Sequence, residues 1–164
     1  MATTLHNVRL NFIAKLEAIS PTSSIVNRGF ENVDRIRMGA DETDTDSFGN
    51  SSGRARDFLV KRLGSTEDRD PTRSAMREAV HEYEITVAYP TCLGLENAVH
   101  EIMDIDRNDI LEALRDRATF TGIPGDGSAT TGIQTRIRIG DNLEDDGAVW
   151  RQIYRFACRV KELT

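Results

Sequence analysis

The segment MREAVHEYEITVAYP, residues 76–90, decides the fold because its composition alternates. After Val80, from residue 82 to residue 89, apolar and aromatic residues occupy every second position, and polar or small residues occupy the positions between them. The first set is Tyr83, Ile85, Val87 and Tyr89, and the second is Glu82, Glu84, Thr86 and Ala88. A period of two is typical of a strand with one buried face. We therefore predict a strand from Met76 to Tyr89, closed by Pro90.

A pair of strands is predicted near the C-terminus by the same alternation. The first has Ile133, Thr135, Ile137 and Ile139 on one face and Gln134, Arg136 and Arg138 on the other. The second has Trp150, Tyr154, Phe156, Cys158 and Val160 on one face and Arg151, Arg155, Arg159 and Lys161 on the other. A turn rich in Asp and Gly separates them, which predicts a hairpin with Asp141, Glu144, Asp145 and Asp146 at its tip.

Two helices flank these strands in the sequence. Leu5, Val8, Phe12, Leu16 and Ile19 form one helical stripe, which Ser20-Pro21 ends. Residues 95–120 also have helical spacing, with a predicted break at 104–108 where Asp106 would cap the second piece. The segment 58–63 fits a strand or a short helix. The predicted class is α+β, a largely antiparallel sheet flanked by helices.

Length and composition indicate one domain over residues 1–164. A chain of 164 residues can bury a single core, and 38% of its residues are hydrophobic. Charged residues make up 29%, which favours long polar loops, predicted near 41–53, 64–74 and 121–131.

The charge balance restricts the function classes. A net charge of −6 argues against binding nucleic acid over the whole surface. No apolar run reaches the length of a membrane span, and residues 1–6 do not look like a signal peptide. Two cysteines at unrelated positions indicate neither a disulfide framework nor a zinc site. We expect a protein made in a cytoplasm, or in a particle assembled there.

We expect no catalytic, metal or cofactor site. The acidic groups lack the spacing of a calcium loop, and neither His81-Glu82 nor His100-Glu101 is followed by the second histidine of a zinc protease. The alternative is a small cytoplasmic enzyme or ligand-binding domain, for which His100, Asp104 and Asp106 form the one plausible polar cluster.

Alternate arginines on two neighbouring strands predict an arginine-rich outer face, with Arg136, Arg138, Arg151, Arg155 and Arg159. Three interpretations stay open. The face is solvated, with Glu82 and Glu84 as partners; or it is a subunit interface that meets acidic loops of the next copy; or it binds nucleic acid.

The chain resembles the tail-terminator (tail-completion) proteins of long-tailed bacteriophages and gene transfer agents. The likeness lies in the N-terminal helix, the strand 82–89, the helix that starts at 95–99 and the closing strand 154–160. The likeness is in the order of the helices and strands, the size of the chain and the residue pattern of the strands, and it covers most of the chain. It implies a hexameric ring that caps the tail tube, stops tube growth and gives the neck its docking surface.

The resemblance also implies partners and a place. The partners are further copies of the chain, the tail tube protein, a neck or head-completion protein, and genomic DNA that passes through the lumen without sequence reading; no membrane is involved. The place is the tail and neck junction of the virion. On this reading the five arginines lie at subunit contacts, while Asp44, Asp46, Asp145 and Asp146 face the lumen or an adjoining ring. The long polar loops leave open a head-completion or neck connector role in the same assembly.

Overall fold

The computed structural model describes residues 4–33, 55–68, 76–91, 96–115, 134–145 and 149–163. These ranges contain two helices and five strands. In chain order the elements are α1 (Thr4–Glu17), β1 (Glu31–Asn32), β2 (Asp57–Asp68), β3 (Met76–Pro90), α2 (Glu96–Arg115), β4 (Gln134–Asp145) and β5 (Val149–Leu163). The predicted loops at 41–53 and 121–131 lie outside the described residues.

The five strands form one sheet in the order β1-β2-β3-β5-β4. β1 is parallel to β2 over two residue pairs, and every other neighbouring pair of strands is antiparallel. The predicted α+β class with a largely antiparallel sheet is therefore confirmed.

The strand predicted from residues 76–89 is confirmed as β3, the central strand of the sheet. β3 pairs with β5 along its whole length, from Met76 opposite Leu163 to Pro90 opposite Val149. Because directly opposite residues share a face, the alternation in β3 sets the faces of its neighbours.

One face of the sheet packs against both helices and forms the core. Phe12 lies 5.3 Å from Tyr83 and 5.8 Å from Phe156 between ring centroids, so the stripe predicted for α1 meets β3 and β5. The strands contribute Phe58, Val60, Tyr83, Ile85, Val87, Tyr89, Tyr154 and Phe156 to this core. The helices contribute Val8, Phe12, Ile13, Leu16, Val99, Ile102, Met103, Ile110, Leu111 and Leu114.

The predicted helix break at 104–108 is wrong, since α2 runs without interruption from Glu96 to Arg115. Asp106 does not cap a helix. It is buried in the middle of α2 and points at a partner from another part of the chain.

Two other predictions placed loops where the chain forms strand. β2 continues to Asp68, so residues 64–68 of the predicted 64–74 loop pair with β3. Asp141 and Glu144 lie within β4, opposite Tyr154 and Arg151, and not at a hairpin tip. The polar composition misled in both cases because these strands lie at the sides of the sheet, where a strand needs little apolar surface.

The strands are longer than the helix layer. β3 and β5 each have 15 residues, which span about 50 Å at about 3.3 Å per residue, whereas the 20 residues of α2 span about 30 Å. Among the strand residues whose side chains the structure describes, those of the hydrophobic core lie in 58–60, 83–89 and 154–156, and His81 beyond them is also buried. We call 57–62, 83–90 and 149–156 the covered half of the sheet, and 63–68, 76–82 and 157–163 its distal half.

Both sides of the sheet end in a long strand. β1 pairs only with Asp57 and Phe58, so among the described residues nothing pairs with the far side of β2 over residues 59–68, which we call the β2 edge. β4 is the last strand on the opposite side, and we call its outer side, residues 134–145, the β4 edge. As far as the structure describes the chain, the sheet thus presents two edges of ten and twelve residues.

Candidate functional site

The face of the sheet that points away from the helices is here called the outer face. Its members follow from the pairing, because residues opposite the polar set of β3 point the same way. They are Leu59 and Lys61 of β2, Glu82, Glu84, Thr86 and Ala88 of β3, and Arg151, Ile153, Arg155 and Ala157 of β5.

A row of alternating charge crosses the outer face. Lys61 lies opposite Glu84, and Glu84 lies opposite Arg155. Arg155 Nε donates to Glu84 Oε2 at 3.1 Å, and the two side chains are 63% and 18% exposed. A pair so open to water contributes at most about 1 kcal/mol. Its main effect is to hold the Arg155 guanidinium in place on the surface.

The register between β4 and β5 separates the predicted arginines. Arg151 lies opposite Glu144, Arg155 opposite Gly140, and Arg136 opposite Ala157. The reason is an irregularity between Arg136 and Gly140 that shifts the pairing of β4. Among the paired positions, no arginine of β4 therefore lies directly opposite an arginine of β5.

The remaining predicted residues are placed by backbone alone or not at all. Arg159 lies opposite Val80 and Gln134, and Arg138 falls in the irregular segment of β4. The side chains of Arg136, Arg138, Arg159 and Asp145 are outside the described part, as are residues Asp44, Asp46 and Asp146 as a whole.

The polar cluster considered for an enzyme is dispersed around α2. The ring of His100 packs edge-on against Trp150 with centroids 4.8 Å apart, and Asp104 is exposed. Asp106 points into the protein interior, where it binds Arg56. The three groups therefore do not face a common space.

The buried pair of Arg56 and Asp106 is the feature that the sequence analysis missed. Both side chains are fully buried, and Arg56 Nε and Nη2 donate to Asp106 Oδ2 and Oδ1 at 2.7 and 2.9 Å. Arg56 also donates to the backbone oxygens of Ser23, Val26 and Arg28. The guanidinium therefore joins α2 to the segment before β1, as only a planar fork with five donors can.

Arg56 occupies an unusual backbone position at the start of β2. Its φ of 67° is in the left-handed region, which non-glycine residues rarely adopt. Its N–H donates to Ala88 O at 2.9 Å, and its carbonyl accepts from Glu31 N at 3.2 Å. These bonds hold the strained residue where β1, β2 and β3 meet.

Tyr89 completes the buried network. Its hydroxyl donates to Asp106 Oδ2 at 3.0 Å. Burial and the neighbouring Asp106 charge raise the pKa of Tyr89 well above its ordinary value of 10.0. Burial also raises the pKa of the Asp106 carboxyl, and the hydrogen bonds and charge of Arg56 oppose that rise. The network is closed within the chain, which favours a structural role over a catalytic one.

An open groove of about 800 Å³ follows the segment 19–29. Its one charged lining residue is Arg28, which pairs with Glu31 and with Asp57. At its rim, Thr22 N and Oγ1 both donate to Asp109 at 2.8 Å. These contacts connect the segment 19–29 to the strands and to α2. We therefore interpret the groove as a structural feature of the fold.

Asp106→Asn is expected to lower the free energy of unfolding by about 3–5 kcal/mol, because it leaves the buried Arg56 charge without a counter-charge. The matched control is Asp104→Asn, the same change at an exposed position of the same helix, which should cost less than about 0.5 kcal/mol. Urea denaturation of the three proteins measures both values. Equal losses in the two variants would contradict the role given to the pair.

Tyr89→Phe is expected to flatten the loss of stability at alkaline pH. The folded pKa of Tyr89 is raised, so above pH 10 the unfolded chain releases a proton that the folded chain keeps, and stability falls as pH rises. The wild type should therefore lose up to about 1.4 kcal/mol per pH unit more than the variant. Unfolding curves between pH 9 and about 11 test this, and parallel slopes would refute it.

Neither described helix has the length and apolar character needed to cross a bilayer. Within the described ranges, no three His, Cys, Asp or Glu side chains are grouped so that they could hold a metal ion. No model of a known protein family matches the chain, and a search of curated proteins finds no match either.

Proposed function

We propose that the chain is a structural subunit of a homomeric ring, of about six copies, that caps the tail tube of a long-tailed bacteriophage or gene transfer agent. The ring ends tube growth and offers a docking surface to the neck. This role belongs to the head-proximal end of the tail in the virion, and it requires no enzyme activity.

The observation that carries the proposal is the half-covered sheet with two long edges. β2, β3, β4 and β5 have 12 to 15 residues, and the core residues that the structure describes occupy only part of β2, β3 and β5. From Lys61 to Ser65 five consecutive residues of β2 are exposed, which means that both of its faces are open there. A ring subunit needs such surface, because each copy must bind a neighbour on two sides.

The charges suit the same role. The outer face carries both signs, as in the row of Lys61, Glu84 and Arg155, and mixed charges give polar contacts between assembled parts. The net charge of −6 repels DNA, which favours passage of the genome over its capture. We assign Arg136, Arg138, Arg151, Arg155 and Arg159 to subunit contacts, and Asp44, Asp46, Asp145 and Asp146 to the lumen or an adjoining ring.

Mixing the purified protein with tail tubes of the particle that encodes it tests this function. The expected result by negative-stain electron microscopy is a ring on one end of each tube, and tube protein polymerised in its presence should stop growing. Rings that bind the neck complex and leave tube ends bare would replace the terminator role with the neck connector role. Binding to neither would refute the virion proposal.

Arg155→Glu is expected to weaken ring assembly while the fold is retained. Arg155 is 63% exposed, so the change costs the isolated chain at most about 1 kcal/mol, but it reverses a charge at a contact. The control is Arg155→Glu with Glu84→Gln, which removes the like-charge pair within the chain while leaving a negative charge at 155. Native mass and unfolding midpoints are compared. Unchanged assembly of the single variant would remove Arg155 from the interface.

A further inference from the structure

Within the described part of the chain, two edges of the sheet have no further strand beside them, and these edges run in opposite directions. β2, β3, β5 and β4 are successive neighbours, and each is antiparallel to the next. Three reversals make β2 and β4 antiparallel to each other. If identical copies stand side by side with their strands aligned, the β4 edge of one copy meets the β2 edge of the next in antiparallel orientation.

The residue order of the two edges is complementary in that orientation. Along the β2 edge, residues 59–68, the charged residues begin with Lys61 and Arg62 and end with Glu67 and Asp68. In β4, Arg136 and Arg138 come first, and Asp141 and Glu144 come last. Antiparallel alignment places the basic start of each edge beside the acidic end of the other. A parallel alignment would place like charges together.

The exposure of β2 agrees with a surface that awaits a partner. Phe58 is buried and is the last residue that pairs with β1. Two residues further along β2, the backbone oxygen of Val60 accepts a hydrogen bond from Arg9 Nε of α1 at 3.1 Å. A side chain of α1 therefore contacts this part of the strand. From Lys61 to Ser65 the strand is exposed, including Leu63 at 42%. A long exposed strand edge readily adds another strand.

We infer that an antiparallel ladder between the β4 edge of one copy and the β2 edge of the next copy forms the junction between subunits. This inference rests on the proposed ring and names its interface. The ladder joins two different surfaces at each junction, so the assembly does not stop at a two-fold dimer, and it closes as a ring when the rotation between successive copies adds up to a full turn. The β2 edge makes this junction possible. β1 has only two residues, so it pairs with the start of β2 and leaves residues 59–68 available to a neighbouring copy.

A complementary pair of charge-reversed variants tests the inference. The first variant is Glu67→Lys with Asp68→Lys, and the second is Arg136→Glu with Arg138→Glu. Neither introduces a like-charge pair into its own chain, because Asp68 lies opposite Glu78 and Arg136 lies opposite Ala157. Each variant alone joins like charges at every junction and should require about tenfold more protein to assemble than the wild type.

An equimolar mixture of the two variants is expected to recover assembly, because each β2 edge then finds a matching β4 edge on the other variant. Native mass spectrometry with one variant isotopically labelled should show rings in which the two alternate in equal numbers. The control is Glu101→Lys with Asp104→Lys, which makes the same charge change at exposed positions of α2 and should assemble like the wild type.

The possible outcomes separate this inference from the proposed function. If the first variant alone assembles normally, or if the mixture does not recover, the β2–β4 ladder is wrong, although rings of another construction can still cap tubes. Dimers lost only in the second variant would assign β4 to a two-fold contact and overturn the ladder. Alternating rings that leave tube ends bare would uphold the ladder and refute the terminator role.

Discussion

The buried ion pair between Arg56 and Asp106 is the constraint on which the rest of the structure depends. A guanidinium removed from water must have its charge and its donors satisfied, and here the carboxylate and three backbone oxygens do so. These partners come from α2 and from the segment before β1, while the Arg56 backbone bonds to Glu31 and Ala88. One residue thereby positions α2 over the sheet and fixes where β2 starts.

Such a pair specifies geometry more than it adds stability. The desolvation of two charges offsets much of their attraction, so an apolar replacement of both would cost little, whereas the loss of one partner is severe. The pair also explains the asymmetry of the sheet. It lies beside Tyr89, in the half that the helices cover, and the distal half extends away from it. In the proposed ring the two parts have different tasks: the covered half supplies the fold, and the distal half supplies surface for other copies.

How far the sequence predicts this arrangement depends on where the deciding contacts lie. The alternation in β3 is readable because this strand is paired on both sides and buried on one face, so local pattern and tertiary environment agree. The stripe of α1 is readable for the same reason. The polar composition of residues 64–68 indicates a loop, but these residues form the end of β2. A strand at the side of a sheet can be polar, because it needs little apolar surface. The break predicted in α2 failed because Asp106 is explained by a partner fifty residues away in sequence, which no local pattern shows.

The candidate site was predictable in part. The residues of β5 that point outward were identified from period two, and Arg151 and Arg155 lie on the outer face as expected. The neighbourhood of each arginine was not predictable, because an irregularity in β4 changes which residues face each other. The β2 edge was missed for a related reason: its openness depends on β1 ending after two residues.

The central claim is that this chain closes into a ring through its own sheet edges, and native mass spectrometry of the purified wild-type protein over a range of concentrations tests it most directly. The account predicts one dominant closed species of about six copies that appears without larger open chains. A strict monomer at every concentration, unchanged when tail tubes are added, would contradict it.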